Sequence, residues 1–283
     1  MVPVTSNEEQ ERFWNDVAGP LWVAWEAETE HHTGPFGEAA LAAAAPAEAE
    51  RVLDIGCGCG STTVALGRAV GPAGTVLGVD LSAAMLARAV QRAGDAGLGN
   101  VRFRRADAQT GDLGSAAADL VFSRFGVMFF DDPPAAFSNL RRALRPGGRI
   151  VFACWQPPSA NPWMALPNRA AIRLFGLTPP PHDAPGPFSL ADTARIRSVL
   201  GAAGFTSIGI RPDRRTLEFG VGLSTDEWAH QRLLMGPARQ PYLASGPAGQ
   251  RRARRVLSEA VAGYRAADRL RMDGAAWIVT ARR

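Results

Sequence analysis

The sequence predicts an α/β protein built around a doubly wound, mostly parallel sheet with helices on both faces. Short apolar runs alternate with helical segments of ten to fifteen residues between about positions 50 and 155, and that alternation is the signature of parallel strands joined by crossover helices. The apolar run Val52-Leu53-Asp54-Ile55 passes directly into a glycine-rich turn and then a helical stretch. The chain has 283 residues, 46% of them hydrophobic and 20% charged, so a large core can form without disulfides or metal.

Each element follows from local pattern. Residues 1–49 form a helical leader: Phe13, Trp14, Val17, Leu21, Trp22 and Trp25 recur at three- and four-residue intervals, and Gly19-Pro20 breaks the pattern into two short helices. An alanine-rich helix follows over Phe36–Ala45. The core, residues 50–155, reads as strand Val52–Ile55, helix Ser61–Val70, strand Thr75–Val79, helix Ser82–Ala96, strands Val101–Arg105 and Asp119–Ser123, helix Pro133–Leu144 and strand Arg149–Trp155. Residues 156–190 read as a proline-rich lid, because Gln156–Pro187 holds nine prolines and such a segment is not mostly regular structure. Residues 157–187 of it, with residues 7–37, are expected to close over a bound ligand. Residues 191–283 complete the sheet: helix Ala191–Ala203, strands Thr206–Ile210 and Thr216–Phe219, a helical cap near 224–270 (Asp226–Met235 and Gly249–Ala267), and a last strand Ala275–Ala281.

Composition narrows the function classes. No lysine occurs, so all 31 basic residues are arginine; against 27 acidic residues they leave a formal charge of +4. That is close to neutral for this length. The dense run Arg251-Arg252-Ala253-Arg254-Arg255 lacks interleaved aromatics, the platforms that single-stranded nucleic acids stack on, so it reads as a solvated helix face and nucleic acid is not an expected partner. The first ten residues carry no secretory pattern and no apolar run approaches a membrane span; a cytoplasmic protein acting on a small molecule, as monomer or homodimer, is expected. Three cysteines, Cys57, Cys59 and Cys154, and four histidines, His31, His32, His182 and His230, show no ligand spacing, so no metal is expected.

The most informative stretch is Ile55-Gly56-Cys57-Gly58-Cys59-Gly60-Ser61. Three glycines spaced by two between a strand and a helix let a ligand lie against bare backbone and the positive helix end. Asp80 closes the next strand, where a carboxylate can accept both hydroxyls of a ribose. A nicotinamide-binding turn shares those features, but it calls for neither Asp54 before the first glycine nor Gly60 followed by Ser61. The pattern points to another adenosine cofactor.

Val52-Leu53-Asp54-Ile55-Gly56-Cys57-Gly58-Cys59-Gly60 resembles the first motif of class I S-adenosylmethionine-dependent methyltransferases. Gly78-Val79-Asp80-Leu81-Ser82 with Met85 resembles the second, Arg105-Ala106-Asp107-Ala108 the adenine-binding motif, Phe122-Ser123-Arg124-Phe125-Gly126 the turn after the fourth strand, and Leu144-Arg145-Pro146-Gly147-Gly148 the loop before the fifth. The resemblance is most specific over residues 50–155, and the branch it is most similar to is the bacterial ubiquinone/menaquinone type. It implies a seven-stranded sheet and S-adenosylmethionine as cofactor. It also implies roles: Gly56, Gly58 and Gly60 as the cradle for the methionine part, Asp54 and the Ser123 carbonyl near the ammonium, Asp80 at the ribose, Leu81 over one adenine face, and Asp107 with the Ala108 amide at the adenine edge, with Cys57 and Met85 also among the cofactor-binding residues. The methyl acceptor is expected to be oxygen or carbon rather than nitrogen.

No catalytic dyad stands out, and methyl transfer needs mainly alignment, with a base only where the nucleophile must lose a proton. Arg124 and His230 are the catalytic candidates. Trp14, Trp22, Phe125, Met128, Trp163, Met235 and Tyr242 are the candidates for lining an apolar or aromatic substrate. A cofactor-binding protein of this fold that performs a non-methylating reaction would carry the same residues.

Overall fold

The computed structural model describes residues 6–283. The leader contains α1 (Ser6–Arg12), a π-wound stretch Phe13–Ala18, α2 (Gly19–Ala24) and α3 (Glu26–Ala44). Gly19-Pro20 does not interrupt it. Pro20 follows directly on the π-wound stretch, at the start of α2, and the break comes instead at Trp25 with φ −112° and ψ 29°. The core then alternates as β1 (Arg51–Ile55), α4 (Ser61–Val70), β2 (Thr75–Asp80), α5 (Ala83–Asp95), β3 (Val101–Arg105), β4 (Ala118–Arg124), α6 (Pro133–Ala143) and β5 (Leu144–Trp155), each within a few residues of its expected bounds except β5, which begins five residues early.

Three later elements depart from expectation. The proline-rich segment contains a 14-residue helix, α7 (Pro162–Phe175): Pro162 stands at its start, where a fixed φ is already helical, and only Pro167 lies inside. After α8 (Thr193–Ala202), the two expected strands fuse into β6 (Thr206–Phe219), which ends the sheet's strand order, and an edge strand is where proline is tolerated in a sheet. Beyond α9 (Thr225–Met235), α10 (Arg239–Ala244) and α11 (Gly246–Ala260), the short β7 (Arg265–Ala266) pairs with β8 (Arg269–Arg282). β8 starts six residues earlier than its apolar end suggests, because Leu270 and Met272 are buried while Arg271 and Asp273 are exposed, a period-two pattern.

The strand order is β3-β2-β1-β4-β5-β8-β6, parallel through β5 and antiparallel between β5 and β8, and β7 makes the eighth strand. The order reverses between β1 and β4, the switch point outside which ligands of open α/β sheets bind. Two compact units divide the chain. One comprises Met1–Trp155, Asp183–Asp213 and Ala276–Arg283; the other comprises Gln156–His182 and Arg214–Ala275. The leader thus belongs to the sheet unit, whereas α7 and the helices α9–α11 form a unit of their own.

The sheet unit has its core at Ile55, Leu120, Phe122, Phe137, Leu140 and Phe152, all fully buried. Phe36 of α3 is also fully buried and packs edge-on to Trp155 at 5.2 Å and Phe125 at 6.0 Å, while those two stack at 3.9 Å. The Phe36→Ala substitution removes that anchor and is expected to cost about 3–5 kcal/mol, as for other buried aromatic truncations. Denaturant unfolding would register the loss as a lower midpoint, and an unchanged midpoint would show that α3 contributes little to the unit.

Candidate functional site

β1 delivers the chain into Gly56, Gly58 and Gly60 at φ +64°, +56° and +81°, conformations that residues with a Cβ adopt only at a cost. At Gly56 the demand is double, because an added Cβ would stand 2.7 Å from the Cα of Gly126. The loop is laced to β2: the amides of Gly56 and Cys57 both donate to the Val79 carbonyl, at 2.8 and 3.2 Å. Gly60 is the N-cap of α4 and offers no side-chain acceptor. The first N–H groups of that helix therefore face outward as a ready anion or dipole site.

Asp80 joins two turns. Its Oδ2 accepts the Gly58 amide at 2.8 Å and its Oδ1 accepts the Ser82 amide at 2.9 Å. Burial raises its carboxyl above the ordinary range, against the pull of the Ser82 and Gly58 amides. Each oxygen keeps acceptor capacity for a further donor such as a hydroxyl. Asp54 is fully buried. Thr62 and Thr63 donate to its Oδ2 at 2.8 and 2.6 Å, and its Oδ1 has no partner. Burial lifts the Asp54 carboxyl to about 6, opposed by the two threonine hydroxyls.

The other cofactor candidates gather on the same rim of the sheet. The Ala106 amide donates to the Asp80 carbonyl at 3.1 Å, bringing the turn after β3 beside that after β2. Asp107 receives the Gln109 amide at 2.9 Å and the Thr110 hydroxyl at 2.8 Å, and Ala108 is buried. Leu81 is partly exposed and Met85 buried. Buried Ser123 donates from Oγ to the Ile55 carbonyl at 2.7 Å and accepts the Gly126 amide at 3.2 Å, so it ties β4 to the glycine loop. Cys57 is buried and its thiol is pushed well up by burial; Cys59 is lifted to about 12, also by burial, with Glu26 adding to it. Both are protonated and unreactive at neutral pH.

The catalytic and substrate candidates fall into both units. Arg124 makes a bidentate pair with Glu30 of α3, at 2.7 and 2.9 Å, and donates to Ser61 Oγ at 2.9 Å. Trp14 and Trp22 are partly exposed and face each other at 6.1 Å, with Phe129 edge-on to Trp14 at 5.0 Å. Phe125 and Met128 are buried. In the other unit Trp163 stacks on Phe219 at 5.1 Å and both are buried, and Met235 is partly exposed. There His230 Nδ1 shares a 2.5 Å hydrogen bond with the hydroxyl of fully buried Tyr242, which also accepts from Arg254 at 3.3 Å. Burial and then the Arg254 charge lower the His230 pKa, keeping the ring neutral. The sequence reading places Met128 and Tyr242 on a pocket wall; their side chains are packed inside their own units.

Sequence reasoning missed the residues that brace the rim. Asn15 donates to the Leu81 carbonyl and accepts the Ala83 amide, both at 3.1 Å. Glu26 pairs with Arg88, at 2.7 Å, and with Arg92. Glu26 and Glu30 stand four apart on one helix, a spacing that puts two carboxylates on one face and was the available signal.

The buried Asp54 predicts a pH signature. Its folded pKa, near 6, exceeds the ordinary 3.8, so its contribution to stability is full below about pH 4 and is lost as the pH rises through 6. The loss amounts to about 3 kcal/mol at most. Asp54→Asn has no such titration, so the variant's melting temperature relative to the parent is expected to climb between pH 4.5 and 7.5. A difference that does not change with pH would mean that Asp54 is not a buried, elevated carboxyl.

The comparisons with known proteins agree with this geometry. A family profile described as a methyltransferase domain matches residues 52–148. Nocamycin O-methyltransferase of Saccharothrix syringae is 32% identical over 145 residues, 51% of this chain and 49% of that protein. Demethylmenaquinone methyltransferase of Thermus thermophilus is 40% identical over 87 residues, 31% of this chain and 39% of that protein. The chain thus spans about half the length, or less, of these curated relatives. The crystal structure of the YcgJ protein from Bacillus subtilis shares the fold with a TM-score of 0.57 at 18% identity, covering 89% of this chain and 97% of that one. Over residues 52–148 the chain is thus similar to a methyltransferase domain, and its fold is shared with the solved YcgJ structure.

Proposed function

We propose that the protein binds S-adenosylmethionine at the rim formed by the glycine loop, Asp80 and Asp107, and transfers its methyl group to oxygen or carbon of a small apolar or aromatic molecule. The observation that carries this reading is the bond between Asp80 and the Gly58 amide, which sets a ribose acceptor against a glycine cradle. The residues present fit the cofactor. The left-handed glycines leave room for its methionine part, the uncapped start of α4 accepts polar groups, and the unpartnered Oδ1 of Asp54 is supplied with a donor by an ammonium, directly or through water. Asp107 and the Ala108 amide are suited to an adenine edge, Leu81 and Met85 to its face, and the Ser123 carbonyl to the ammonium.

Bound there, the cofactor supplies a methyl group on a positively charged sulfur. What the chain supplies is position and field: Asp54, Asp80 and Glu30 outnumber Arg124, a balance that favours a cationic ligand over its neutral-sulfur product. Of the two catalytic candidates, His230 alone can take a proton, because a guanidinium is not deprotonated in proteins. The partly exposed Trp14 and Trp22, and the name of the nocamycin relative, support a small substrate with an apolar surface and a methylated oxygen.

Titration calorimetry tests the cofactor reading. S-adenosylmethionine and S-adenosylhomocysteine are expected to bind and NAD is not; NAD binding as tightly would overturn it. Asp80→Asn is expected to weaken S-adenosylhomocysteine by about 1.5–3 kcal/mol, the value of hydrogen bonds to a charged acceptor. Incubation with candidate phenols, carboxylates and carbon nucleophiles, read by mass spectrometry for an added methyl, tests the transfer itself. Cofactor binding with no methylated product across that set would favour a non-methylating reaction.

A further inference from the structure

An isolated imidazole takes a proton near neutral pH, and the bonds around His230 decide whether this one does. Tyr242 of α10 is fully buried, and its hydroxyl has two partners among the described residues: Arg254 of α11 at 3.3 Å and His230 Nδ1 at 2.5 Å. A guanidinium only donates. The hydroxyl proton therefore has one acceptor within reach, the lone pair of Nδ1. A proton on Nδ1 instead would leave that buried hydroxyl hydrogen unbonded, which costs more than the bond itself is worth. Tyr242 thus donates to Nδ1, and the ring's own proton sits on Nε2.

That tautomer changes what the ring can do. With Nδ1 occupied, taking up a proton means breaking the bond to Tyr242 and placing a second cation beside Arg254. Asp226, one turn back on α9, offsets part of that charge and pairs with Arg254 at 2.7 Å. Burial and then Arg254 nevertheless prevail and hold the ring neutral. Arg254 and Asp226 are the charged groups that act on it, and α10 contributes the neutral Tyr242. Nε2 has no partner among the described residues and is not one of their buried orphaned atoms; the ring is half-buried, so it presents an N–H outward. A neutral donor backed by a guanidinium suits an oxygen that carries negative charge.

We propose that Tyr242 and Arg254 are positioning residues that fix His230 as a hydrogen-bond donor through Nε2, and that the oxygen receiving this bond is the methyl acceptor of a carboxylate or an acidic phenol. This rests on the methyl-transfer reading above and narrows its substrate class. Arg124 stays protonated and is held by Glu30, so neither catalytic candidate removes a proton and the acceptor brings its own charge. An oxygen lone pair forms the new C–O bond as the C–S bond breaks, the bonding electrons stay with sulfur, and no proton is transferred.

Nitrogen NMR of the full-length labelled protein reads the tautomer directly, with His230→Gln identifying the His230 signals among those of the four histidines. The parent is expected to carry the proton on Nε2, with Nδ1 bare, throughout pH 6.5 to 8. A proton on Nδ1, or a ring that charges within that range, would overturn the proposal. Tyr242→Phe is expected to release both tautomers and raise the pH at which the ring charges; an unchanged tautomer and titration would show that Tyr242 sets neither. The parent spectrum stands without that variant if it does not fold. Turnover is the second arm, with carboxylates, nitrophenols, phenols and benzylic alcohols on matched aromatic rings offered with S-adenosylmethionine at pH 7.5. The first two classes are expected to be methylated at least about 100-fold faster than the last two, the low end of what a general base contributes. His230→Gln, whose amide keeps a donor and takes no proton, is expected to stay within about fivefold of the parent on carboxylates, and His230→Ala to lose about 10- to 100-fold. Equal losses in the two variants, or alcohols methylated as fast as carboxylates, would make His230 a base or a brace and overturn the proposal. No product from any class, beside the expected tautomer, would instead overturn the transfer reading beneath it and the substrate class with it.

Discussion

One carboxylate holds the site together. Asp80 bonds through one oxygen to the Gly58 amide in the loop after β1 and through the other to the Ser82 amide in the turn after β2. It works with the Gly56 and Cys57 amides, which donate to the Val79 carbonyl, to fix the distance between the two turns, because the glycine loop is composed of residues with conformational freedom. A flexible loop becomes a fixed surface because its neighbour supplies the acceptor. The same contact explains why Asp80 tolerates burial: two backbone donors offset the desolvation that raises its carboxyl.

Asp54 shows the opposite balance. Threonines satisfy one oxygen and nothing satisfies the other, in a position with no exposure to water. A hydrophobic residue there would suit β1 better, as Val52, Leu53 and Ile55 show. A buried acceptor left open in the middle of an otherwise apolar strand is a place where the fold forgoes stability, and sites of this kind are where function concentrates. The raised pKa of Asp54 is that cost expressed in protons.

Much of this was legible in the sequence, and the boundary falls along a physical line. The strand, glycines and helix between Val52 and Val70 were readable because period, turn chemistry and element length agree over a short span. Asp54, Asp80 and Asp107 were readable because each stands at a fixed offset from a strand end. Glu30, Asn15 and Phe36 were not: their partners Arg124, Leu81 with Ala83, and Trp155 lie 94, 66 to 68 and 119 positions away in a fold whose contacts are set only once the leader has packed. The helix α7 was hidden for a different reason. Proline content argues against helix in general, but Pro162 at the first position argues for one, and a count of prolines does not distinguish the two.

The leader is therefore better described by what it bonds than by its helical content. Its π-wound stretch places Asn15 against the Leu81 carbonyl and Ala83 amide, a wide turn of the sort found where a helix must aim a side chain. Glu26 holds Arg88 and Arg92 on α5, Glu30 holds Arg124 at the end of β4, and Phe36 fills the hollow between Phe125 and Trp155. These four contacts reach the ends of β2, β4 and β5 and run along α5 from its start at Ala83 to Arg92 in its last turn. A segment with no core of its own thus acquires a fixed course from the carboxyl ends of strands it does not pair with, and those strand ends acquire from it the one carboxylate that orients Arg124.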